Sequence, residues 1–272
     1  MSSRVRVLSL HNRAVNLEQG EGSILTLAHP GLGNGPDTVL VEGPWPLELQ
    51  AGEEGEIREG LLRIGPLHLA LPPRWRPPEP PPGVPAVTLP VQEAASALPE
   101  EGGLLPALRA ALGLPAVFTG PFAAAAIRGL THLAEGRWTE AVRRLTGLGP
   151  GLTPGGDDIV AGYVTALHRS HQASKAVALG EALLALPPGA TTPVSLHLLR
   201  WAARGVAGEH HLAWLDGLLT GNPATHDRFR LLLTHGATSG AEWAGGALLA
   251  LYHLQREENA RCDCTISPFQ RG

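Results

Sequence analysis

The first third of the chain consists of short apolar runs that do not follow a helical period. Residues 4–10 alternate loosely between apolar and polar side chains, as a half-buried strand does. Similar runs follow at residues 23–28, 38–41, 47–50, 61–64 and 67–71. Glycine- and proline-rich turn signals separate them. This spacing predicts a small antiparallel β-sheet or barrel, which we place in residues 1–92.

The pattern changes after residue 99, where apolar residues recur with the 3.6-residue period of helices. The segments that show it are residues 104–112, 121–133, 139–145, 159–168, 173–186, 193–206, 212–219, 227–233 and 239–254. Glycine or proline breaks the pattern between them. The chain is therefore predicted to be an α+β protein, with a larger all-helical domain at residues 99–256 in which no repeat period is evident.

Two segments show neither pattern. Eight of the fourteen residues from 72 to 85 are proline, which predicts a stiff linker between the two domains. A recognition motif for a proline-binding module is the alternative. Residues 257–272 are polar and irregular, which predicts a flexible tail. Cys262 and Cys264 lie in this tail, and one such pair favours free thiols over a metal site.

Composition narrows the possible functions. The net charge of −4 gives no long-range attraction for nucleic acid or an anionic membrane, and no apolar run is long enough to span a bilayer. The N-terminus does not resemble a signal peptide and two cysteines make no disulfide framework, so we expect a cytoplasmic protein. Lys175 is the only lysine. It lies outside any nucleotide-binding phosphate loop, and we expect neither pyridoxal phosphate nor biotin on it.

One stretch, residues 147–158, combines five glycines, two prolines and two adjacent aspartates. Its glycines and prolines exclude a regular helix or strand, whereas residues 159–168 have helical spacing. The stretch therefore predicts a shaped loop that delivers Asp157 and Asp158 to the first turn of a helix. Backbone N–H groups in such a loop, together with a helix N-terminus, favour an anion. The ligand-binding candidates here are Gly149, Gly151, Thr153, Gly155 and Gly156.

The two aspartates complicate an anion site. A phosphate dianion about 5 Å from one carboxylate would be repelled by about 6–7 kcal/mol at an effective dielectric near 20. Backbone hydrogen bonds of about 1–2 kcal/mol each barely offset this. Binding therefore requires carboxylates that turn away, or a cation such as Mg²⁺ held by Asp157 or Asp158.

Adjacent side chains on a helix point about 100° apart. We therefore expect one aspartate to face the ligand and the other to cap the helix or hold the loop. The alternative is that both aspartates only stabilise the start of the helix.

Two further loops carry candidate residues. Thr192 is a good helix N-cap, and Ser195 and Arg200 follow it on the same predicted helix. Residues 235–240 form a second loop of small residues that opens a helix, with Glu242 in its first turn. Ligand-binding candidates in these loops are Thr192, Ser195, Arg200, Thr238 and Gly240; the catalytic candidates are Asp157, Asp158 and Ser239.

Together these loops resemble the AllH-like family, named after a subunit of an oxamate carbamoyltransferase; its members have also been labelled carboxylases. The motifs that carry the resemblance are Gly149-Pro150-Gly151-Leu152-Thr153-Pro154, Gly156-Asp157-Asp158, Gly162, Thr191-Thr192, Ser195, Leu199-Arg200, Gly236, Ser239-Gly240 and Gly245. Residues 13–17 and 34–36 fit less specifically. Ala237 and Glu242 depart from the pattern, which has a histidine and an aspartate at these positions, and this puts substrate choice in doubt.

The resemblance implies carbamoyl transfer between carbamoyl phosphate and an acceptor of the oxamate kind, in an assembly with other subunits. In the catabolic direction, a compound such as oxalurate would react with phosphate. This chemistry needs a phosphate cradle and donors for the charge that develops on a carbonyl oxygen, and backbone amides supply both. Two alternatives stay open: a non-catalytic subunit that docks partners, and a carboxylase, although the chain shows neither a biotin-carrier motif nor an ATP loop.

Overall fold

The computed structural model describes residues 2–20, 22–83, 85–118 and 121–266 and has the predicted α+β architecture. A curled seven-stranded sheet forms the N-terminal part, and helices form the larger C-terminal part. Each part has its own cluster of buried apolar side chains. Hydrogen bonds also join the two parts, among them those from Asn34 to Glu209 and from Trp201 to Asp37.

The sheet is antiparallel except at one edge. Its strands are β1 (Ser2–Leu10), β2 (Ala14–Gln19), β3 (Ser23–Ala28), β4 (Thr38–Leu40), β5 (Glu54–Arg58), β6 (Leu61–Ile64) and β7 (Leu67–Ala70). They lie in the order β4-β3-β2-β1-β5-β6-β7. The pair β3–β4 is parallel, which the prediction of an antiparallel sheet did not include. The other five neighbouring pairs are antiparallel, as predicted.

Alternation along β1 explains its place in the sheet. Val5 and Val7 are each 2% exposed, whereas Arg4 and Arg6 point to solvent. The prediction was wrong at residues 47–50, which form no strand, because the N–H of Leu49 donates to the carbonyl of Leu47 in a tight turn. It also missed two strands, β2 and β5. The mostly polar sequence of β5 carries little apolar signal.

Ten helices follow in the described part of the chain. They are α1 (Val91–Ser96), α2 (Leu105–Ala111), α3 (Ala123–Ala134), α4 (Trp138–Leu145), α5 (Gly155–Arg169), α6 (Ala173–Leu184), α7 (Pro193–Ala202), α8 (Glu209–Thr220), α9 (Thr225–Leu232) and α10 (Ser239–Ile266). The nine predicted helical segments are confirmed as α2 to α10. Only α1 was missed, because six residues are too few to show a helical period. No helix in these described ranges is long and apolar enough to cross a membrane.

The end of α10 differs from the prediction. Residues 257–266 continue this helix, so Cys262 and Cys264 lie on a helix and not on an irregular segment. The rest of the predicted tail, residues 267–272, lies outside the described residues.

Helices α5 and α10 form the centre of the helical part and pack along each other. A Cβ atom on Gly162 of α5 would lie 1.9 Å from the carbonyl oxygen of Trp243. A Cβ atom on Gly246 of α10 would lie 2.1 Å from the carbonyl oxygen of Ile159. Glycine is therefore required at both positions, since it alone lets the two backbones approach this closely.

A unit made of a short helix, a loop and a central helix occurs twice, as α4–α5 and α9–α10, although the sequence shows no repeat period. Before each central helix, a shorter helix ends at a leucine, Leu145 of α4 and Leu232 of α9. A Cβ atom on Gly156 or Gly240 would lie 2.0 Å from the carbonyl oxygen of the corresponding leucine. Six residues further on are the glycines of the α5–α10 contact, so the two units meet each other reciprocally.

The proline-rich linker lies against the helical part. Arg169, 2% exposed at the end of α5, donates to the carbonyl oxygens of Pro78 at 2.8 Å and Glu79 at 2.9 Å. Arg74 of the linker stacks over the ring of Trp201 at 5.0 Å. These contacts hold the linker in place, because proline-rich backbone offers few N–H donors and bonds through its carbonyls.

Candidate functional site

A cleft of about 520 Å³ lies where the sheet meets two loops of the helical part. One is the glycine-rich loop before α5, and the other joins α9 to α10. The turn between β1 and β2 forms the opposite wall. The lining residues include Asn12, Arg13, Gly151, Thr153, Thr238 and Ser239. The fold therefore brings four of the predicted site residues to one place.

The glycine-rich loop takes a shape that other residues would resist. Gly149 and Gly151 have φ angles of 117° and 99°, in the region that favours glycine. Gly156 packs against the end of α4, and its N–H donates to the carbonyl of Leu148 at 2.9 Å. The predicted helix start is confirmed, because α5 begins at Gly155 and carries both aspartates in its first turn.

Asp157 holds this loop from behind and is 1% exposed. Its Oδ1 accepts a hydrogen bond from the N–H of Gly147 at 2.9 Å, and its Oδ2 accepts from the hydroxyls of Ser195, at 2.7 Å, and Thr191. Burial raises the pKa of Asp157, and these three donors oppose the rise. Asp157 therefore ties the loop to α7, which confirms that one of the two aspartates holds the loop.

Asp158 lies next to the cleft, facing Thr153 and Ser239, whose hydroxyl oxygens are 2.8 Å apart. The side chain is half-buried, but its Oδ2 atom is sealed from solvent and has no hydrogen-bond partner among the described residues. Burial raises the pKa of Asp158 well above its usual value, Glu242 adds to the rise, and the two hydroxyls oppose it. Neither aspartate lines the cleft itself, and Asp158 is connected to it only through these two hydroxyls.

Glu242 on α10 fills the space at the start of α5. It is 1% exposed, and its carboxylate accepts from the N–H of Leu104 at 2.6 Å and from the hydroxyl of Thr238 at 2.7 Å. A Cβ atom on Gly155 would lie 2.2 Å from its Oε1. A protein carboxylate therefore occupies the helix terminus where the sequence predicts a bound anion. A ligand anion has to bind further out, in the cleft.

The cleft itself offers suitable donors. The backbone amides of Gly151, Leu152 and Thr153 donate to no acceptor within the described part of the chain, and all three residues line the cleft. Arg13 lines the same cleft from the β1–β2 turn, and its Nη2 donates to the carbonyl of Thr234 at 3.2 Å. Backbone amides and a guanidinium group are the donors that anionic groups prefer.

Several predicted residues lie elsewhere. Thr192 caps α7, accepts from the N–H of Ser195 at 3.1 Å and donates to the carbonyl of Leu152, so it shapes the loop from outside the cleft. Arg200 lines a separate cavity of about 440 Å³. Gly149, Gly155, Gly156 and Gly240 serve backbone packing and do not line the cleft.

Sequence reasoning did not select the wall formed by the β1–β2 turn. Asn12, Arg13 and Asn16 line the cleft from this side, but a short polar turn after a strand has no distinctive pattern. The one available signal was the weak family likeness of residues 13–17. The role of Glu242 was also missed, because a helical period does not reveal which side chain reaches a neighbouring helix.

Three histidines lie together at the α9–α10 loop: His235 belongs to the loop, and His210 and His211 belong to α8. The Nδ1 atom of His210 is 2.9 Å from the Nε2 atom of His235, and the ring of His211 packs on Trp243 at 4.8 Å. Burial lowers the pKa of His235 to about 4 and that of His211 to about 3. Both are therefore neutral at neutral pH and stiffen the loop, and Arg13 supplies positive charge to the cleft.

The donor set does not define a metal site. Both oxygens of Asp157 already accept hydrogen bonds, which leaves this carboxylate ill-suited to a cation. No group of three or more histidine, cysteine, aspartate or glutamate side chains is placed to hold a metal ion in the ranges that the structure describes. We therefore assign no metal ligand, and the binding of Mg²⁺ stays a prediction.

Comparisons with protein families match both sides of the cleft. A family model described as oxamate carbamoyltransferase subunit AllH matches residues 145–251, which include the glycine-rich loop and the α9–α10 loop. A second model, described as the AllH family N-terminal domain, matches residues 2–74, which include the β1–β2 turn. No curated protein and no solved structure matches the chain.

Proposed function

Because the chain belongs to the AllH family, we propose that it acts as the AllH-like subunit of a carbamoyltransferase and binds an anionic substrate in the cleft described above. One observation carries the proposal. Arg13 from one matched segment lines the same cleft as residues 151–153 from the other, whose amides have no acceptor among the described residues. Two parts of the family pattern that are far apart in sequence thus build a single anion-binding surface.

The cleft suits the chemistry of carbamoyl transfer. When carbamoyl phosphate reacts with oxamate, or oxalurate with phosphate in reverse, negative charge develops on the carbamoyl oxygen in the transition state. Fixed backbone donors stabilise such charge and cost little reorganisation. The hydroxyls of Thr153 and Ser239 lie at the same wall and can orient the amide end of the acceptor. No protein nucleophile is required, because the donor and the acceptor can react directly.

Arg13→Gln is expected to weaken the binding of inorganic phosphate and of oxamate by about 10- to 100-fold, since a hydrogen bond to a charged group contributes about 1.5–3 kcal/mol. Isothermal titration calorimetry measures the change. The matched control is Arg58→Gln, which removes an exposed arginine from β5 and should bind like the wild type. Unchanged affinity in Arg13→Gln would contradict the assignment of the cleft.

An exposed apolar segment supports a second role, the docking of a partner subunit. Of the large apolar side chains that are exposed, Val117, Phe118, Phe122 and Ile127 lie close together in sequence, at and before α3. Apolar surface of this kind commonly marks a protein interface. The family is described as a subunit of an enzyme, so the occupant we propose is another subunit of the same carbamoyltransferase.

The double variant Val117→Ser/Phe118→Ser should lose co-elution with co-expressed carbamoyltransferase subunits in size-exclusion chromatography, and it should keep the wild-type affinity for phosphate. Val177→Ser, which changes an exposed apolar residue on α6, is the control and should keep the complex. A stable complex with the double variant would rule out this segment as the interface. If the chain forms the complex but binds no substrate on its own, the result would favour a purely assembling role over a catalytic one.

A further inference from the structure

The reciprocal packing of α5 and α10 places two acids at equivalent positions. Asp158 follows Gly156 by two residues, and Glu242 follows Gly240 by two residues. Both glycines pack on the preceding leucine carbonyl, so both acids lie in the first turn of a central helix. The repeated unit thus places a pair of carboxyl groups next to Thr153, Thr238 and Ser239, which line the cleft.

Among the residues that the structure describes, no cationic side chain balances the two carboxyl groups. The charged groups that face Asp158 are Glu242 on α10 and Asp157 on its own helix. Within the described ranges, no arginine, lysine or histidine forms an ion pair with Asp158 or Glu242. His210 and His235 lie at the α9–α10 loop, and burial lowers the pKa of both. Two ionised groups in this position would therefore repel each other without compensation.

Hydrogen bonding also distinguishes the two groups. The carboxylate of Glu242 accepts from a backbone N–H and from the hydroxyl of Thr238, which suits an ionised group. Asp158 has the hydroxyls of Thr153 and Ser239 nearby, but its Oδ2 atom is buried without any partner among the described residues. An unpaired charge in such a place costs much more free energy than a neutral carboxylic acid does. The geometry thus favours a proton on Asp158 beside an ionised Glu242.

We infer that Asp158 and Glu242 together carry one proton at neutral pH and that this proton, in place of a metal cation, offsets the charge of a doubly charged oxyanion bound in the cleft. The inference deepens the proposed function and rests on it, because the cleft has to be an anion site. When the anion binds, the pair takes up a proton from solvent, and only O–H bonds form or break.

The direction of the pKa shifts agrees with this geometry. Burial raises the pKa of both groups, and the charge of Glu242 raises that of Asp158 further. A bound anion nearby would raise the pKa of both groups further, so its binding should be coupled to proton uptake. Affinity should therefore be highest at low pH and fall by about tenfold per pH unit above the pKa of the pair, if one proton is taken up.

Sulfate is the probe that tests the inference, because it is a dianion that does not titrate near neutral pH. We expect the wild-type chain to bind sulfate with uptake of about one proton, measured by calorimetry in buffers of different ionisation enthalpy. Asp158→Asn and Glu242→Gln keep the shape of the pair and remove a charge. Both should lose the proton uptake and bind sulfate at about pH 8 at least tenfold more tightly than the wild type.

The control is Asp227→Asn, which removes an exposed acid from the first turn of α9 and should titrate like the wild type. The inference would be overturned if wild-type binding were independent of pH or required Mg²⁺. It would also be overturned if both variants of the pair kept the proton uptake. The anion site itself would still stand in each case. Failure of the wild type to bind either sulfate or phosphate at any pH would overturn the proposed function, and this inference with it.

Discussion

Gly246→Ala is expected to lower the free energy of unfolding by about 3 kcal/mol, one of the two largest effects that the structure predicts for a single substitution. The added methyl group would lie 2.1 Å from the carbonyl oxygen of Ile159, which is backbone and cannot turn away. Helices α5 and α10 would have to separate along their length. Alanine improves helix propensity by about 1 kcal/mol, and this gain is smaller than the clash. Urea denaturation measures the difference.

Gly245 supplies a matched control on the same helix. A Cβ atom there would meet the end of the Leu108 side chain at 2.7 Å, and this side chain can rotate. Gly245→Ala has the same propensity gain, so it should cost less than about 1 kcal/mol or even stabilise the protein. If both variants unfolded at the same urea concentration, the close approach of α5 and α10 would not be needed for stability.

Asp157→Ala is expected to cost about 3 kcal/mol of the free energy of unfolding and to abolish phosphate binding. The change leaves the N–H of Gly147 and the hydroxyls of Thr191 and Ser195 without their common acceptor. The glycine-rich loop would then lose its tie to α7, and the amides of residues 151–153 would lose their fixed direction. Thermal unfolding and phosphate calorimetry on the same sample measure the two effects.

Asp157→Asn separates the hydrogen bonds from the charge. The asparagine oxygen can still accept from Gly147, and the two hydroxyls can rotate to accept from its amide. We therefore expect a cost below about 1 kcal/mol, since the buried charge is removed at the same time. A loss as large as that of Asp157→Ala would show that the charge itself holds the loop. Asp227→Ala, on the exposed face of α9, controls for the loss of a first-turn acid.

The helices were predictable because their signals are local. Apolar residues at 3.6-residue spacing and the glycine or proline breaks between them lie within a few residues of each other, so α2 to α10 could be read directly. The errors occurred where local signals are weak. Strand β5 has an acidic, mostly polar sequence and exists because it pairs with β1 and β6. The last turns of α10 carry no apolar period.

The site was predictable only in part, for the same reason. The glycine-rich loop and its two first-turn acids were visible, because glycine and proline restrict the backbone where they stand. Thr153, Ser239 and Thr238, which were selected as site residues, line the cleft, and their role there stays a prediction. Arg200 does not line this cleft, because α7 places it at another cavity.

By itself, the sequence determined the α+β division, the helical segments and a loop that could be neither helix nor strand, because each depends on residues that are close in the chain. Only the tertiary structure decided how that loop is used. It placed Glu242, 138 residues from its partner Leu104, at the start of α5, and it brought Arg13 against Thr234 across 221 residues. Such contacts follow from how helices and sheet pack, and packing brings together residues whose spacing in the chain carries no pattern.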